Sequence, residues 1–188
     1  SIYGKVLFIK FNNKSYEIFA KGLRNPQGLY ASDNTIITSE HGPRGGDELN
    51  KITYDGNYGW AVASYGEPYG DGFQERNSSY LDSNYYKKNH EKFSFIEPIF
   101  SYVPSIGASE LIKVPDTLHP KWKNNFILSS LSGKSLFRIQ FTNNYNKIVL
   151  SEKIFVGYRI RDLKYDVDSN SIFLAMETFG QIGILTPK

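Results

Sequence analysis

"NTIITSEHGPRGGDELNKIT", residues 34–53, reads as a strand, a polar turn and a second strand. The runs "TIITS" (35–39) and "ELNKIT" (48–53) flank a turn that holds Gly42, Pro43, Gly45 and Gly46. Glycine and proline between short β-rich runs mark a strand–turn–strand unit. The same order returns in "NFILSSLSGKSLFRIQF" from Asn125 and "NSIFLAMETFGQIGILTP" from Asn170. The starts differ by 170 − 125 = 45 and 125 − 34 = 91 residues, the second nearly twice the first. Strand units recurring every roughly 40–50 residues are the signature of β-propeller blades.

The doubled gap contains residues 65–95, a polar, tyrosine-rich stretch without strand alternation. It is predicted to be a long excursion loop, either functional or plain surface. Further strand-sized runs are "KVLFIKF" (5–11), "SELIKV" (109–114) and "IVLSEKIFV" (148–156). No segment keeps a 3.6-residue apolar period for three turns. The fold class expected is all-β. Residues 1–188 read as a single partial β-propeller domain of about three and a half blades. Closed propellers have typically 4–8 blades. A partial one leaves sheet edges and a flank open, which favours a homo-oligomer or further chain.

Each repeat follows a loop and a short strand: "GLRNPQGLYA" (22–31), "PSIGASELIKV" (104–114) and "GYRIRDLKYDV" (157–167). In a propeller the innermost strand of each blade lines the central channel. Arg24 and Arg159, 135 residues apart, are therefore expected to face one axial point; surface ion pairing is the alternative.

Composition narrows the function. The 188 residues carry 22 basic and 19 acidic side chains, a net charge of +3 with no basic block, so no nucleic-acid footprint is indicated. With no cysteine, disulfides, thiol catalysis and thiolate metal sites are excluded. No apolar run approaches the roughly 20 residues of a membrane span. "SIYGKVLFIKF" lacks the parts of a signal peptide and reads as a strand entered in mid-architecture, in a fragment of something longer.

Three clusters are candidates for chemistry. In "LRNPQG", Arg24, Asn25 and Gln27 offer a guanidinium fork and two amides, suited to carboxylates and carbonyls or to capping their own turn. In "EHGPRGGDELN", the carbonyls around Gly42 and Pro43 are hard oxygen donors of the kind calcium takes, with Asp47 and Glu48 beside them. A lone turn histidine such as His41 is more often a hydrogen-bonding residue than a base. In "YRIRD", Arg159 and Arg161 share a strand face, and like charges there repel unless an anion or a carboxylate lies between them. An anionic ligand is the favoured expectation. No zinc spacing, phosphate loop or GxSxG is present.

"GLRNPQGL", "SEHGPRGGDELN", "GNYGW" and "YRIRD", in that order, resemble the soluble quinoprotein glucose and aldose-sugar dehydrogenases. The likeness covers essentially the whole chain and matches the C-terminal half of a six-bladed propeller. It implies a pyrroloquinoline quinone (PQQ) cofactor with calcium, and hydride transfer from a sugar's anomeric carbon to the quinone. It places Arg24, Asn25 and Gln27 beside cofactor and sugar, with Arg24 catalytic and His41 at the neighbouring turn. Arg159 and Arg161 would meet cofactor oxygens. The Gly42 and Pro43 carbonyls would reach the cofactor calcium, and Glu48 with the Tyr58 carbonyl a second, structural calcium. Tyr102 falls where several members carry a substrate-side Trp.

The family's base lies in the half not matched, so this chain alone is expected to be inactive. Ser132 stands where a cofactor-contacting lysine is expected, with Lys134 two residues on. The resemblance further implies an external electron acceptor and a periplasmic or secreted location. The alternative is a non-catalytic propeller that binds sugars or proteins.

Overall fold

The computed structural model describes residues 1–32, 34–69 and 86–187. They form β-strands and two short 3-10 turns, Glu91–Phe93 and Pro120–Trp122. Strand β1 (Lys5–Lys10) pairs antiparallel with β2 (Ser15–Lys21), and the two-residue β6 (Gly56–Asn57) joins β2 in parallel. Blade I is β3 (Pro26–Ser32), β4 (Thr35–Glu40), β5 (Asp47–Ile52) and β7 (Phe100–Tyr102), in that spatial order. Blade II is β8 (Ala108–Lys113), β9 (Phe126–Ser130), β10 (Ser135–Phe141) and β11 (Ile148–Phe155). Blade III is β12 (Ile160–Asp166), β13 (Ser171–Met176) and β14 (Gln181–Leu185). The all-β partial propeller is what the repeat predicted. Each repeat start precedes the second strand of a blade.

The doubled gap is also explained. Blade I leaves its third strand at Ile52 and recovers its fourth at Phe100, so the excursion is inserted within one blade. Of residues 65–95, positions 70–85 lie outside the described residues. Residues 65–69 and 86–95 fold back on blade I: Arg44 and Glu67 exchange backbone hydrogen bonds of 2.8 and 2.9 Å, and Ala63 bridges Lys87.

Burial follows position in the blade. The second strands β4 "TIITSE" and β9 "FILSS" are covered on both faces, so they are apolar or small up to Glu40, the one buried charged residue of the two. Outer strand β11 is mostly exposed and alternates little. Apolar clusters fill the spaces between sheets. Ile37 and Leu49 of blade I meet Leu111, Phe126, Leu128 and Ile139 of blade II. Ile127 and Leu136 of blade II meet Ile160, Leu163, Ile172 and Leu174 of blade III. Burying each such side chain contributes about 1.5–3 kcal/mol. A polar seam crosses the same layers. The Ser39 hydroxyl donates to the Ser109 carbonyl, and the Ser109 hydroxyl donates to the Ile160 carbonyl at 2.6 Å and lies 2.8 Å from that of Ser129.

Candidate functional site

The loops that enter the inner strands β3, β8 and β12 lie at the same end as the turns between second and third strands. Backbone bonds join them in series. His41 N–H donates to Asn25 O (3.1 Å), Leu131 N–H to Gly107 O (2.8 Å), Gly157 N–H to Lys134 O (3.0 Å) and Glu177 N–H to Arg159 O (2.8 Å). The turn residues in question therefore gather on one rim, which is why the sequence separates them by tens of residues.

Asp47 is the hub of that rim. Fully buried, it accepts from Gly42 N–H (3.2 Å), the Ser105 hydroxyl (2.8 Å), Ile106 N–H (3.1 Å) and Ala108 N–H (2.9 Å). One carboxylate thus fastens the blade I turn to the loop entering blade II. Gly46, at φ +69°, lies against Gly66; a Cβ on either would collide with backbone of the facing segment.

Arg24 sits between the two walls. Its Nη1 donates to the His41 carbonyl at 3.0 Å. Its guanidinium carbon lies 5.2 Å from the Trp60 ring centroid and 5.9 Å from that of Tyr69, within cation–π range. The backbone amides of Arg24 and Asn25 donate to Glu40 Oε2 at 2.6 and 3.1 Å, and Asn50 Nδ2 donates to Glu40 Oε1 at 2.8 Å. Glu40 therefore holds the "LRNPQG" loop from beneath. Gln27 donates to Asn25 Oδ1 (2.9 Å) and accepts from Arg161 Nη1 (3.3 Å). Arg24, Asn25, Gln27, His41 and Arg161 are brought together.

Arg159 and Arg161 do share a face, but the chain itself supplies the carboxylate between them. Glu177 accepts from Arg159 Nε and from Arg161 Nη2, both at 2.7 Å, and the two arginines hold its carboxyl below the usual range. The repulsion that pointed to an anionic ligand is already relieved, so the pair by itself does not require one. Lys134 is exposed in a left-handed turn conformation, φ +47°, and the Ser132 hydroxyl donates to Ser105 O at 3.4 Å.

Tyr102 is displaced from its expected place. It is 8% exposed and packs edge-on against Phe100 and beside Phe137 in the cluster between blades I and II. Only its backbone serves the rim, accepting from Gly46 N–H at 2.9 Å. The aromatic side chains that do border Arg24 are Trp60 and Tyr69.

The interior side of the rim is electrostatically unusual. A small pocket is lined by Arg24, Glu40, His41, Gly42, Glu48 and Tyr58 among others. Burial pushes Glu40 up to about 7, against the hydrogen bonds from Arg24 and Asn25. Burial and then the Glu40 charge push Glu48 up to about 8. Burial lowers the His41 imidazole below its ordinary value; Asp47 opposes this and Arg161 and Arg24 assist it. His90 stands 3.8 Å from Glu48 and 3.5 Å from Glu97, which also accepts from the Tyr65 hydroxyl at 2.7 Å. Arg24 Nε and His41 Nε2 are buried without a partner. No group of three or more His, Asp or Glu placed to hold a metal occurs among the described residues, so a cation here would depend on carbonyl oxygens.

Sequence reasoning missed Glu40, Glu177, Trp60 and Tyr69. Glu40 and Glu177 each end or follow a second strand, and that repeated position was the available signal. Nothing local marks Tyr69.

The chain is 29% identical over 185 residues to the aldose sugar dehydrogenase YliI of Escherichia coli, covering 96% of this chain and 47% of that protein. It is 30% identical over 148 residues to quinoprotein glucose dehydrogenase B of Acinetobacter calcoaceticus, covering 78% and 27%. A crystal structure of a glucose dehydrogenase superposes with a TM-score of 0.79 at 25% identity, over 98% of this chain and 54% of that one. The chain thus spans about half the length of the first of these relatives, and less of the second. The profile of the glucose / sorbosone dehydrogenase family matches residues 4–184, and the chain belongs to that family.

Proposed function

We propose that the chain is the C-terminal part of a PQQ-dependent aldose sugar dehydrogenase that oxidises the anomeric carbon of its substrate. Family membership supports the reading, and one observation in the chain carries it. Arg24 Nε and His41 Nε2 are buried, unpaired and on the same rim as Asn25, Gln27 and Arg161. A buried polar atom left unpaired costs about 1–3 kcal/mol, and a ligand that completes it removes the cost.

The residues fit a quinone bearing carboxylates and carbonyls. Arg24, Arg159, Arg161 and Lys134 offer cationic donors, and Asn25 and Gln27 offer amides. When bound, the quinone supplies the hydride acceptor, with calcium as the Lewis acid upon it. The chain's own work is positional. Glu40 sets the Arg24–Asn25 backbone, and Trp60 orients the guanidinium. Arg24 then stabilises negative charge that develops beside it. His41, whose burial lowers its imidazole below the ordinary value, is a hydrogen-bond partner there; the base is assigned to no residue of this chain.

Calcium fits in part. The Gly42 and Pro43 carbonyls would face the cofactor, with one Pro43 lone pair already taken by the Tyr69 hydroxyl at 2.6 Å. Glu48 with the Tyr58 carbonyl would hold a second ion; a dication there offsets the burial that now pushes Glu48 up to about 8. The whole protein would work in the periplasm or outside the cell and pass electrons to an external acceptor. Copies of this chain would pair through its open flanks.

The test uses the chain as it is, with quinone and calcium added. Calorimetry is expected to register uptake of the quinone, and a dye-reduction assay with aldoses is expected to stay flat. Sugar-dependent dye reduction would refute the assigned division of labour. A second reading, a non-catalytic propeller that binds sugar or protein, is favoured by Ser132 at the lysine position; absence of quinone uptake selects it.

A further inference from the structure

Tyr69 lies just beyond the turn that the proposed cofactor site uses, and it belongs to the excursion rather than to a blade. It touches both halves of that site. Its hydroxyl donates to the Pro43 carbonyl at 2.6 Å, and its ring lies 5.9 Å from the Arg24 guanidinium, which also stacks 5.2 Å from Trp60. The segment that carries it is anchored independently. Arg44 and Glu67 exchange backbone bonds, and Lys88 Nζ donates to Gly66 O at 2.6 Å and to Glu67 Oε1 at 2.7 Å. Gly46 and Gly66 permit the close backbone approach. Tyr69 nevertheless remains 62% exposed, so burial does not explain where it is held.

We propose that Tyr69 is a positioning residue of this site, its ring orienting the Arg24 guanidinium together with Trp60 and its hydroxyl orienting the Pro43 carbonyl toward a hard cation. The inference rests on the cofactor reading above. A carbonyl has two lone pairs. The phenol occupies one and leaves the other free for a cation, and by holding the oxygen it holds the peptide plane that aims that second pair. The two functions separate chemically: Tyr69→Phe keeps the ring and loses the hydroxyl, whereas Tyr69→Ala loses both.

The chain has two tryptophans, so in a Trp122→Phe background Trp60 alone reports on the Arg24 stack. Arg24→Met defines the emission change when the guanidinium is gone. Tyr69→Ala is expected to reproduce part of that change, and Tyr69→Phe none of it, at unchanged far-ultraviolet circular dichroism. Calcium titrated by calorimetry is expected to bind Tyr69→Phe roughly five- to tenfold more weakly than the parent chain, the worth of one hydrogen bond. Calcium binding that is unchanged or tighter in Tyr69→Phe overturns the proposal, as does Trp60 emission indifferent to Tyr69→Ala. If the parent chain takes up no calcium, the Pro43 part fails; quinone uptake decides the cofactor reading separately, and the Trp60 signal decides the hold on Arg24.

Discussion

Glu40 and Glu48 put two carboxyls into one buried pocket, and their protonation must tell on the fold. Both are pushed up, to about 7 and about 8, from an ordinary value near 4.5. A carboxyl whose folded value lies above its unfolded one binds its proton more tightly when folded. Its contribution is complete below about pH 4.5 and is lost as pH rises toward the folded value. Without divalent cation, the melting temperature is therefore expected to fall between pH 5 and pH 8. The slope is at most about 1.4 kcal/mol per pH unit for each group. Glu48→Gln should flatten the upper part of that fall, and added calcium should restore more stability at pH 8 in the parent chain than in Glu48→Gln. A melting temperature independent of pH in chelator would dismiss the burial argument. These two carboxyls were visible in "SEHGPRGGDELN", but their mutual burial was not. Glu40 ends β4 and Glu48 lies directly opposite it on β5, a pairing that depends on register.

At the level of elements, the strands with unbroken apolar runs were legible. The runs 35–39, 48–53 and 109–114 meet β4, β5 and β8 within one residue at each end. β2 "SYEIFAK" was not found, because it is an exposed partner of β1 and mixes charge with apolar residues. β12 was foreseen only as a short strand behind a loop, and a register shift between Ile160 and Asp162 disturbs its alternation there. That irregularity accompanies Arg159 and Arg161 both reaching Glu177. The rim residues from repeats were readable for the same reason as the repeats. Trp60 and Tyr69 were not, since their neighbours come from chain folding back at long range. The serine seam makes its own prediction. Ser109→Ala takes the buried hydroxyl donor from the Ile160 carbonyl, while the Ser129 hydroxyl keeps the Glu110 carbonyl at 3.3 Å, at a cost of about 1–3 kcal/mol in denaturant unfolding. A loss below 0.5 kcal/mol, within surface-substitution range, would show that the seam is idle.

Across the whole molecule, the stack of blades ends in two bare sheet faces. At one end Leu7 pairs with Ile18 and Ile9 with Tyr16; at the other Phe173 pairs with Ile184 and Ala175 with Ile182. Ile9, Tyr16, Ile18, Ile182 and Ile184 are all exposed. Such contiguous apolar surface favours association. Light scattering of the chain at micromolar concentration is expected to give a mass above that of one copy. Ile18→Lys combined with Ile182→Lys should return it to one copy with strand content intact. A parent chain that is already single at that concentration contradicts the expectation.

Asp47 has a mechanical corollary. Its two oxygens receive donors from Gly42 on one side and from Ser105, Ile106 and Ala108 on the other. The loop entering blade II and the turn that carries His41 are thereby yoked, and neither can shift alone without stranding a buried carboxyl group. A disturbance introduced at Ser105 should accordingly be felt at the imidazole, in a neighbouring blade, before it is felt by solvent.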